Sequence, residues 1–356
     1  MSKIVMAVGG TGGHIYPAIA LATKLKEQHP DLEILFMGGK LEQNRYFEKG
    51  AFPYHSTRCA SLSKNPLKLL KGGIDILRGI AECRQTLREY NPDVIVGFGS
   101  YHSFPALAAA AWNQAPFILH ESNSVPGKVN RLLSSKAAVT GILFPSAAAK
   151  LKGKTQLVDM PLRNGYSLGA VSRKEAAEYF GLDPKKPTIL IFGGSQGAQA
   201  LNKMAAEGLK GPFQVIHIAG SPLHVEQIRT SYQKQGISAC VKEFETRMDL
   251  AWSASDLAIC RSGAVTLAEA LEFEVPTLLI PYPHAADDHQ FHNALWMANE
   301  VKGGMVVPES ALNAQLLNEK VNNLLKGDLS TLKERLQAYK TKQARKSFSQ
   351  LIVEHL

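Results

Sequence analysis

Two glycine-rich loops, each placed directly after a run of β-branched and other apolar residues, constrain the fold of this chain most. The first reads VGGTGGH at positions 8–14, after the run 3–8, and the second reads FGGSQGA at 192–198, after the run 188–192. A helical pattern follows each loop. A strand, a glycine turn and a helix in series direct backbone N–H groups and a positive helix end at an anion. The loops lie about half the chain length apart, so we expect two similar α/β halves with phosphate chemistry in the cleft between them.

Length and composition are those of a globular protein with more than one domain. A chain of 356 residues is longer than one that ordinarily folds around a single hydrophobic core. A content of 45% hydrophobic and 20% charged residues is typical of a globular protein. No apolar run approaches the ~18 residues of a membrane span, and the amino terminus has no signal-peptide pattern. The cysteines are scattered without a C-x-x-C pair, which predicts reduced thiols in a cytoplasmic protein. They are Cys59, Cys83, Cys240 and Cys260.

The formal net charge of +9 requires an explanation. Nucleic acid is a disfavoured partner, because no basic stripe with interleaved aromatic residues occurs. The segment 62–78 instead mixes leucine and isoleucine with lysine, as a segment lying on anionic lipid would. The simpler interpretation of this segment alone is an amphipathic helix whose leucines face the core and whose lysines face water.

Strand-like and helical runs alternate along the chain, which favours parallel sheets covered by helices on both faces. A boundary is expected within 160–165, and Pro17 is expected in the first turn of its helix. The basic tail 329–356 predicts one or two amphipathic helices. The predicted strands are 3–8, 33–37, 93–97, 116–119, 138–142, 188–192, 214–219, 256–260, 277–280 and 304–307, and the predicted helices include 16–27, 105–112, 265–271 and 289–299.

The first loop matches neither common phosphate fingerprint. In a dinucleotide fingerprint that begins at Gly10, the third glycine would fall at Ile15, and no Gly-Lys-Ser/Thr of a Walker loop follows. Paired glycines still allow a backbone to approach a ligand closely. His14 then stands at the start of the helix, where it is either a catalytic base or a structural residue of the turn.

The second loop contains G-x-S-x-G after a strand, which is the pattern of a hydrolase nucleophile elbow around Ser195. A serine hydrolase would also need an acid and a histidine, and Asp256 or Asp287 with His289 could supply them. The alternative is that the Ser195 hydroxyl contacts a phosphate, which needs fewer assumptions because the loop begins a second half of the chain.

Two further segments follow predicted strands and are therefore expected at carboxyl ends, where open α/β sheets bind ligands. His120, Glu121, Ser122 and Asn123 follow the strand 116–119. The sequence RSGAVTLAE at 261–269 opens a helix, and its last residue, Glu269, could accept hydrogen bonds from two ribose hydroxyls or be a surface glutamate near a helix start.

The segment 281–293 is rich in potential ligands. His289 and His292, with Asp288, could hold a divalent metal ion. Gln290 and Asn293 are instead the neutral donor–acceptor groups that a sugar pocket needs. A metal is the less favoured interpretation, and the absence of any Asp-x-Asp motif weakens a metal-bridged diphosphate further.

Taken together, GGTGGH, HESN, GGSQGA, RSGAVTLAE and DHQFHNA, in this order, resemble the motifs of the MurG family, the N-acetylglucosaminyltransferases of peptidoglycan synthesis. The resemblance runs from about residue 5 to residue 294. It implies an α/β GT-B fold, with Rossmann-like domains at 1–162 and 163–340 facing across a cleft and a last helix, about 341–356, crossing back to the first domain. It also implies inverting transfer of GlcNAc from UDP-GlcNAc to the MurNAc C4 hydroxyl of lipid I, without a metal or cofactor, on the anionic cytoplasmic face of the cell membrane.

The resemblance also implies roles for individual residues. His14 is the expected general base, and Thr11, Gly12, Gly13 and Asn123 are expected to line the acceptor side and touch the donor. The remaining expected donor contacts are to the diphosphate, the sugar, the ribose and the GlcNAc hydroxyls. They are Arg163 and Ser195 for the diphosphate, Ala264, Val265, Thr266, Leu267, Ala268 and Glu269 for the sugar and ribose, and Gln290 for the GlcNAc hydroxyls.

Several positions depart from the family pattern. Ser122 replaces a usual glutamine, Ser100 replaces a usual glycine, and Glu245 replaces the aliphatic residue whose backbone contacts uracil. The approach to Arg163 reads VDMPLR instead of the usual GNPVR. The nearest alternative functions are other glycosyltransferases of this architecture, such as those acting on glycolipids, and a UDP-GlcNAc epimerase; a serine hydrolase and a non-catalytic nucleotide-sugar sensor belong to other classes.

Overall fold

The computed structural model of the protein describes residues 1–60, 65–194, 197–343 and 345–356. It divides into two compact units, of which the first comprises Met1–Asn164 together with Arg345–Leu356 and the second comprises Gly165–Ala344. Each unit is a parallel β-sheet with helices packed against it. The expected fold class of two Rossmann-like units is therefore confirmed.

The strands of both units are short. Along the chain most of them alternate with helices, as the sequence predicts. In the first unit they are β1 (Lys3–Ala7), β2 (Glu33–Gly39), β3 (Tyr54–Thr57), β4 (Val94–Gly97), β5 (Phe117–Glu121), β6 (Val139–Ile142) and β7 (Thr155–Leu157). In the second unit they are β8 (Thr188–Phe192), β9 (Gln214–Ile218), β10 (Ala239–Lys242), β11 (Leu257–Cys260), β12 (Thr277–Leu279) and β13 (Gly304–Val306). Neighbouring strands are parallel, in the orders β3-β2-β1-β4-β5-β6-β7 and β10-β9-β8-β11-β12-β13.

The α-helices lie between these strands along the chain, except for the last three, which follow β13. They are α1 (Gly12–Gln28), α2 (Pro66–Tyr90), α3 (Phe104–Asn113), α4 (Lys128–Leu133), α5 (Arg173–Tyr179), α6 (Gln199–Gly208), α7 (Pro222–Lys234), α8 (Met248–Ser253), α9 (Ala264–Glu272), α10 (His289–Leu295), α11 (Ala314–Asn323), α12 (Leu329–Lys342) and α13 (Phe348–Val353). Short 3₁₀ turns occur at Leu41–Gln43, Pro145–Lys150, Ala286–Asp288 and Glu309–Ala311, and π-helical segments at Trp296–Val301 and Leu324–Asp328.

Strand β1 shows why its sequence is apolar throughout. Ile4 and Met6 belong to one hydrophobic core, which also contains residues of α1 and α13, while Val5 and Ala7 belong to a second core with residues of α2 and α3. A strand covered on both faces needs apolar side chains at successive positions and not at alternate ones. The central strands were predictable for this reason.

Helix α1 begins earlier than the sequence predicts. The carbonyl oxygen of Thr11 accepts hydrogen bonds from the N–H groups of His14 (3.0 Å) and Ile15 (3.2 Å), so the first turn forms at Gly12. The expectation that Pro17 lies in the first turn is therefore wrong. Pro17 is in the second turn, where its missing N–H leaves the carbonyl of Gly13 without the usual helical donor.

The amphipathic segment is the first part of α2, and the prediction that its leucines face the core is wrong. Leu67, Leu70 and Leu77 are 79%, 67% and 66% exposed, whereas Cys83 and Leu87, farther along the helix, are buried. Gly72, in the first part of the helix, is also buried, and Cys83 and Leu87 belong to a core that contains residues of α3 and the sheet. The exposed leucines thus lie on a side of α2 that the core does not cover. Residues 61–64, including the start of the predicted segment, lie outside the described residues.

The carboxyl-terminal segment is part of the first unit. Lys346 forms a parallel bridge with Val158, and the N–H of Phe348 donates to the Asp159 carboxylate at 2.8 Å. The Phe348 ring is fully buried, with its centroid 4.8 Å from that of His120. A side chain added at Gly141 would meet this ring, which explains the glycine in β6.

A buried polar network links β9 to two helices of the second unit. Asn202 donates from Nδ2 to the carbonyl of Ala219 at 2.8 Å, so its Oδ1 accepts from Nε2–H of His217 at 3.1 Å. His217 Nδ1 then accepts from the hydroxyl of Tyr232 at 2.9 Å. Burial lowers the pKa of His217 to about 3, which keeps the ring neutral.

This pKa predicts an acid-sensitive second unit. The unfolded chain binds a proton at His217 below about pH 6.5 while the folded chain does not, so the free energy of unfolding falls as pH drops from there towards 3, by up to about 1.4 kcal/mol per pH unit. His217→Gln should make this fall in the free energy of unfolding shallower. Above pH 7 the free energies of unfolding of the variant and the wild type should change with pH in parallel. Denaturant titrations across this pH range test the prediction, and equal slopes below pH 6 would contradict it.

Candidate active site

In the first unit, the loops that follow β1, β2 and β4 enclose a cavity of about 540 Å³. Parallel strands end at one edge of the sheet, so these three loops meet there. Most of the lining residues have polar side chains, Lys40 contributes a cation, and no carboxylate is among them. The lining residues are Gly10, Thr11, His14, Lys40, Gln43, Asn44, Ser100, Tyr101 and His102.

The glycine loop after β1 requires glycine for two reasons. Gly9 and Gly10 have φ values of +147° and +89°, which side chains disfavour, and a Cβ at Gly9 would lie 2.5 Å from Cβ of His102. Asn44 fixes the loop from the other side, because its Nδ2 donates to the carbonyl of Gly10 at 2.7 Å. The loop is therefore held in one shape before any ligand binds.

His14 is half-buried on the third residue of α1, at the wall of this cavity. Its Nδ1 lies 3.4 Å from the hydroxyl oxygen of Thr11. If Nδ1 carries the proton, that hydroxyl accepts it and Nε2 is the basic nitrogen, which is the tautomer a general base needs. Among the other predicted residues of this loop, Thr11 and Gly13 are exposed and Gly12 is buried.

The loop after β4 contains one of the departures from the family pattern. Ser100 has φ +75°, a left-handed conformation that costs a non-glycine residue about 1 kcal/mol. Its hydroxyl oxygen partly compensates, since it accepts from the N–H of His102 at 3.2 Å and lies 3.0 Å from Nδ1 of the same ring. Burial, and then the charge of Lys40, lower the pKa of His102.

Asn123 follows β5 in a turn organised by the buried carboxylate of Glu121. One Glu121 oxygen accepts from the Asn123 N–H, and the other accepts from the N–H of Gly127 and from Nδ2 of Asn130, each at 2.9 Å. Burial raises the pKa of Glu121, and these donors oppose the rise. Beside it, burial and the nearby His14 lower the pKa of His120 to about 3, so this ring stays neutral.

Arg163 lies in the first unit, next to α1. Its guanidinium carbon is 5.4 Å from the ring centroid of Tyr16, a cation–π distance. Burial raises the pKa of Tyr16, and the charge of Arg163 counteracts this. The other predicted diphosphate contact, Ser195, lies outside the described residues.

In the second unit, the loops after the adjacent strands β8, β11 and β12 carry the remaining predicted residues. Gly194 and Gly197 have φ values of +84° and +73°, and the Gly197 N–H donates to the Gly194 carbonyl at 2.9 Å. A Cβ at Gly197 would lie 2.6 Å from the carbonyl oxygen of Ala219. Gly194 and Gly197 therefore have backbone conformations that favour glycine, as Gly9 and Gly10 do.

Hydrogen bonds bring the loops after β11 and β12 together. The hydroxyl of Ser262 donates to the carbonyl of Gln290 at 2.7 Å, and Asn293 donates to the carbonyl of Ser262 at 3.2 Å. Gln290 Oε1 accepts from the N–H of Tyr282 at 3.0 Å. Gln290 is thus placed at the start of α10 beside the start of α9.

Helix α9 offers N–H groups at its start. The first three, from Ala264, Val265 and Thr266, have no acceptor within the helix, whereas the N–H of Leu267 donates to the carbonyl of Gly263 at 3.0 Å. Leu267 is also fully buried, and Ala268 is half-buried. The sequence motif was therefore right to mark this helix start, but Leu267 faces the core.

Glu269 is a buried residue of this helix and not a surface glutamate. Its side chain is 7% exposed and accepts a hydrogen bond from Nε1 of Trp252 at 2.9 Å. The Trp252 ring packs edge-on against Phe192 of β8, with centroids 5.6 Å apart. The indole therefore fixes the direction of the carboxylate.

Glu245, the third of the departures from the family pattern, forms an ion pair through its side chain. The carboxylate lies 2.6 Å from Lys242 Nζ and accepts from the N–H of Arg247 at 2.8 Å and from the hydroxyl of Tyr179 at 3.3 Å. Burial raises the pKa of Glu245, but Lys242 and the other donors hold it below its usual value. Phe244, by contrast, is half exposed.

Two of the residues proposed for a serine hydrolase, Asp256 and His289, have other hydrogen-bond partners in the second unit. Asp256 forms a two-pronged ion pair with Arg173 at 2.7 Å and accepts from the N–H of Thr188, the first residue of β8. This is the opposite end of the strand from the glycine loop. Nδ1 of His289 bonds the carbonyl of Ala286 at 2.8 Å and not a carboxylate. Within the described ranges, no three His, Cys, Asp or Glu residues are grouped to hold a metal ion.

Several residues that build these sites were missed by the sequence reasoning. Asn44 and Trp252 are far along the chain from the groups they hold, and no sequence motif marks them. His102 could have been found, because it follows a predicted strand and so belongs at its carboxyl end.

Comparisons with known proteins match both units. The family models of the glycosyltransferase family 28 N-terminal and C-terminal domains match residues 4–142 and 188–353. The chain belongs to glycosyltransferase family 28. The prediction that this chain is a glycosyltransferase of the hexosyltransferase class is thereby confirmed.

Relatives of full length support the same assignment. The chain is 43% identical to the UDP-N-acetylglucosamine–N-acetylmuramyl-(pentapeptide) pyrophosphoryl-undecaprenol N-acetylglucosamine transferase of Protochlamydia amoebophila, over 99% of this chain and 96% of the relative. It is 37% identical to the protein of that name from Chlamydia felis, over 100% and 99% of the two chains. A crystal structure of Acinetobacter baumannii MurG is similar with a TM-score of 0.77 and 25% identity over 99% of each chain. The MurG-family resemblance and the GT-B fold class are confirmed.

The Glu121 turn gives a prediction for this glycosyltransferase. Both carboxylate oxygens of Glu121 accept hydrogen bonds from N–H donors. In Glu121→Gln an NH₂ group replaces one of these oxygens, so it must face an N–H donor from which it cannot accept. We expect it to lower the free energy of unfolding of the first unit by about 1–3 kcal/mol. Hydrogen exchange of the two units during denaturant titration measures the loss.

Glu82→Gln is the matched control, since its carboxylate pairs with Arg58 at the surface. A surface pair contributes little, about 0–1 kcal/mol. Equal losses in the two variants would show that the buried acceptor arrangement at Glu121 is wrong.

Proposed function

We propose that this chain transfers N-acetylglucosamine from UDP-GlcNAc to the C4 hydroxyl of the MurNAc of lipid I, with inversion at the anomeric carbon. The product is lipid II, the precursor used in peptidoglycan synthesis. Support comes from the names of relatives that the chain matches over nearly its whole length, and from the two phosphate-type glycine loops. The observation that carries the mechanism is the placement of His14 on the cavity of the first unit.

In the proposed reaction, His14 acts as general base. Nε2 removes the proton of the C4 hydroxyl while that oxygen attacks the anomeric carbon of GlcNAc. The bond from the anomeric carbon to oxygen forms as the bond to the UDP oxygen breaks, and UDP leaves with the electron pair. Thr11 stabilises the tautomer in which Nε2 is basic.

Charge that develops on UDP needs stabilising groups around the leaving diphosphate. The N–H groups at the start of α9, the glycine loop after β8 with Ser195, and Arg163 are proposed to supply them. Glu269, directed by Trp252, would accept from the ribose hydroxyls, and Gln290 would contact the GlcNAc hydroxyls. These groups make a divalent metal unnecessary to the proposal.

Acceptor-side residues have a second task in this proposal. Thr11, Gly12, Gly13 and Asn123 would contact the substrates around the reacting hydroxyl. Their loops are preorganised by Asn44 and Glu121, so little ordering is needed when the acceptor binds.

Transfer of radiolabel from UDP-GlcNAc to a lipid I analogue tests the function. The wild-type protein should transfer label equally with and without EDTA, and His14→Ala should lower kcat at least about 100-fold because proton removal is lost. His29→Ala, an exposed histidine at the end of α1, is the matched control and should retain activity.

Each outcome bears on one part of the proposal. No transfer by the wild type would overturn the reaction, and recovery of epimerised UDP-sugar would favour the epimerase. Loss of transfer in EDTA would overturn the metal-free mechanism. Full activity of His14→Ala would remove its role as base.

The exposed face of α2 supports a second proposal, that the enzyme docks peripherally on the anionic inner leaflet of the cytoplasmic membrane. Leu67, Leu70, Ile74 and Leu77 recur at helical spacing and are all exposed. An apolar helix face beside lysines suits the interface of an anionic bilayer. Within the described part of the chain, no helix is long and apolar enough to span a membrane.

Reversing the charge of the lysines on this face should weaken docking. Lys68→Glu with Lys71→Glu is expected to lower binding to phosphatidylglycerol-containing vesicles at least about tenfold, since each lysine near such a surface contributes about 1 kcal/mol. Lys64, predicted with them, lies outside the described residues. Vesicle sedimentation at physiological salt measures the change.

The pair Lys203→Glu and Lys234→Glu, at exposed positions of the second unit, alters the net charge equally and should bind as the wild type does. Unchanged binding of the α2 variant, or an equal loss in the control pair, would show that this face is not the docking surface.

A further inference from the structure

A second cavity, of about 460 Å³, lies in the second unit where β13 begins. Its wall includes Lys302 and Gly304, at the amino end of the strand. Parallel strands bind their ligands at the carboxyl end, and Gln290 and the start of α9 lie at that other edge of this sheet. The cavity is therefore separate from the residues proposed to hold the donor, and its volume is in the range of small-molecule sites.

The charge of the cavity wall is positive. Lys302 and Arg335 line it, both are exposed, and neither is paired with a carboxylate among the described residues. The other polar lining side chains, Asn299 and Thr331, are neutral. Two cations facing one cavity without a counter-charge repel each other, and an anion between them would relieve that repulsion.

The floor of the cavity is apolar and rigid. Met305, Leu324 and Leu332 line it, and Leu332 is 7% exposed. The strand backbone passes so close to its neighbours that a side chain at Gly304 would collide with Thr277. The floor is thus formed before any ligand enters, which lowers the entropic cost of binding.

Both π-helical segments of the described chain border this cavity. Trp296–Val301 contributes Asn299, and Leu324–Asp328 contributes Leu324. π-Helical turns account for well under 1% of residues and occur frequently at functional sites. Two of them at one cavity are a second observation, independent of charge, that marks the place as a binding site.

We propose that this cavity binds a small organic anion. Its phosphate or carboxylate group would lie between Lys302 and Arg335, and its apolar body would lie against Met305 and Leu332. The guanidinium group of Arg335 suits the oxygens of either anion through two parallel hydrogen bonds. The site does not depend on the reaction proposed above.

Methyl NMR of methionine-labelled protein tests the site, because Met305 reports directly on the floor. Its signal is assigned with Met305→Leu, and saturating UDP keeps phosphate probes from the nucleotide site. Phenyl phosphate, benzoate, inorganic phosphate and phenol are titrated separately. The Met305 signal should shift with phenyl phosphate or benzoate at lower concentration than with inorganic phosphate or phenol, which each supply only one of the two contacts.

Variants separate this site from general charge effects. Lys302→Gln and Arg335→Gln should each weaken binding of phenyl phosphate about tenfold, the loss of one charge-assisted hydrogen bond. Lys333→Gln, an exposed lysine of α12 outside the cavity wall, should bind as the wild type does.

A Met305 signal that does not shift with any of the four probes would overturn the proposal. Equal affinities of the wild type, Lys302→Gln and Arg335→Gln would overturn it as well. Preference for phenyl phosphate over benzoate would identify the group as a phosphate, and the reverse preference would identify a carboxylate.

Discussion

The parallel direction of the strands is the constraint on which both sites depend. Because neighbouring strands run the same way, every loop that leaves a carboxyl end emerges at one edge of its sheet. The loops after β1, β2 and β4 meet around His14, and those after β11 and β12 meet at the start of α9 and Gln290. Parallel pairing in turn requires strands buried on both faces, so the apolar runs that make the core also determine where the polar chemistry can lie.

The two glycine loops have similar sequences but different surroundings. The loop after β1 is held by Asn44 and packs against His102, and it leads into α1, whose third residue is His14. The loop after β8 packs against the carbonyl of Ala219, which directly follows β9. Asn202, a member of the network around the neutral His217, bonds the same carbonyl and fixes this end of the strand. The similarity therefore reports a shared backbone requirement. Different side chains around each loop are what permit different chemical roles.

The sequence predicted those parts of the fold whose cause is local. Central strands were found because burial on both faces leaves a continuous apolar run. Strands β3, β7 and β10 were missed, and each lies at a sheet edge where burial is incomplete and the apolar run is broken.

The exposed leucines of α2 were missed for a related reason. Amphipathic spacing gives the angle of an apolar face around a helix but not the element that covers it. Cys83 and Leu87 are buried, and at 3.6 residues per turn they lie on a different side of α2 from Leu67 and Leu70. Asn44 and Trp252 were missed because a hydrogen bond between distant parts of the chain leaves no pattern in the sequence.

Glu245 shows which partners a buried carboxylate needs. A carboxylate in place of an aliphatic side chain would be costly in a buried position without partners, by several kcal/mol. Here Lys242, Tyr179 and the N–H of Arg247 satisfy it, so the side chain is buried among its partners. A ligand recognised through backbone groups does not detect that exchange. Glu269 is the opposite case, because its own carboxylate is the proposed ligand group and Trp252 fixes its direction, so a change of side chain there would remove the interaction itself.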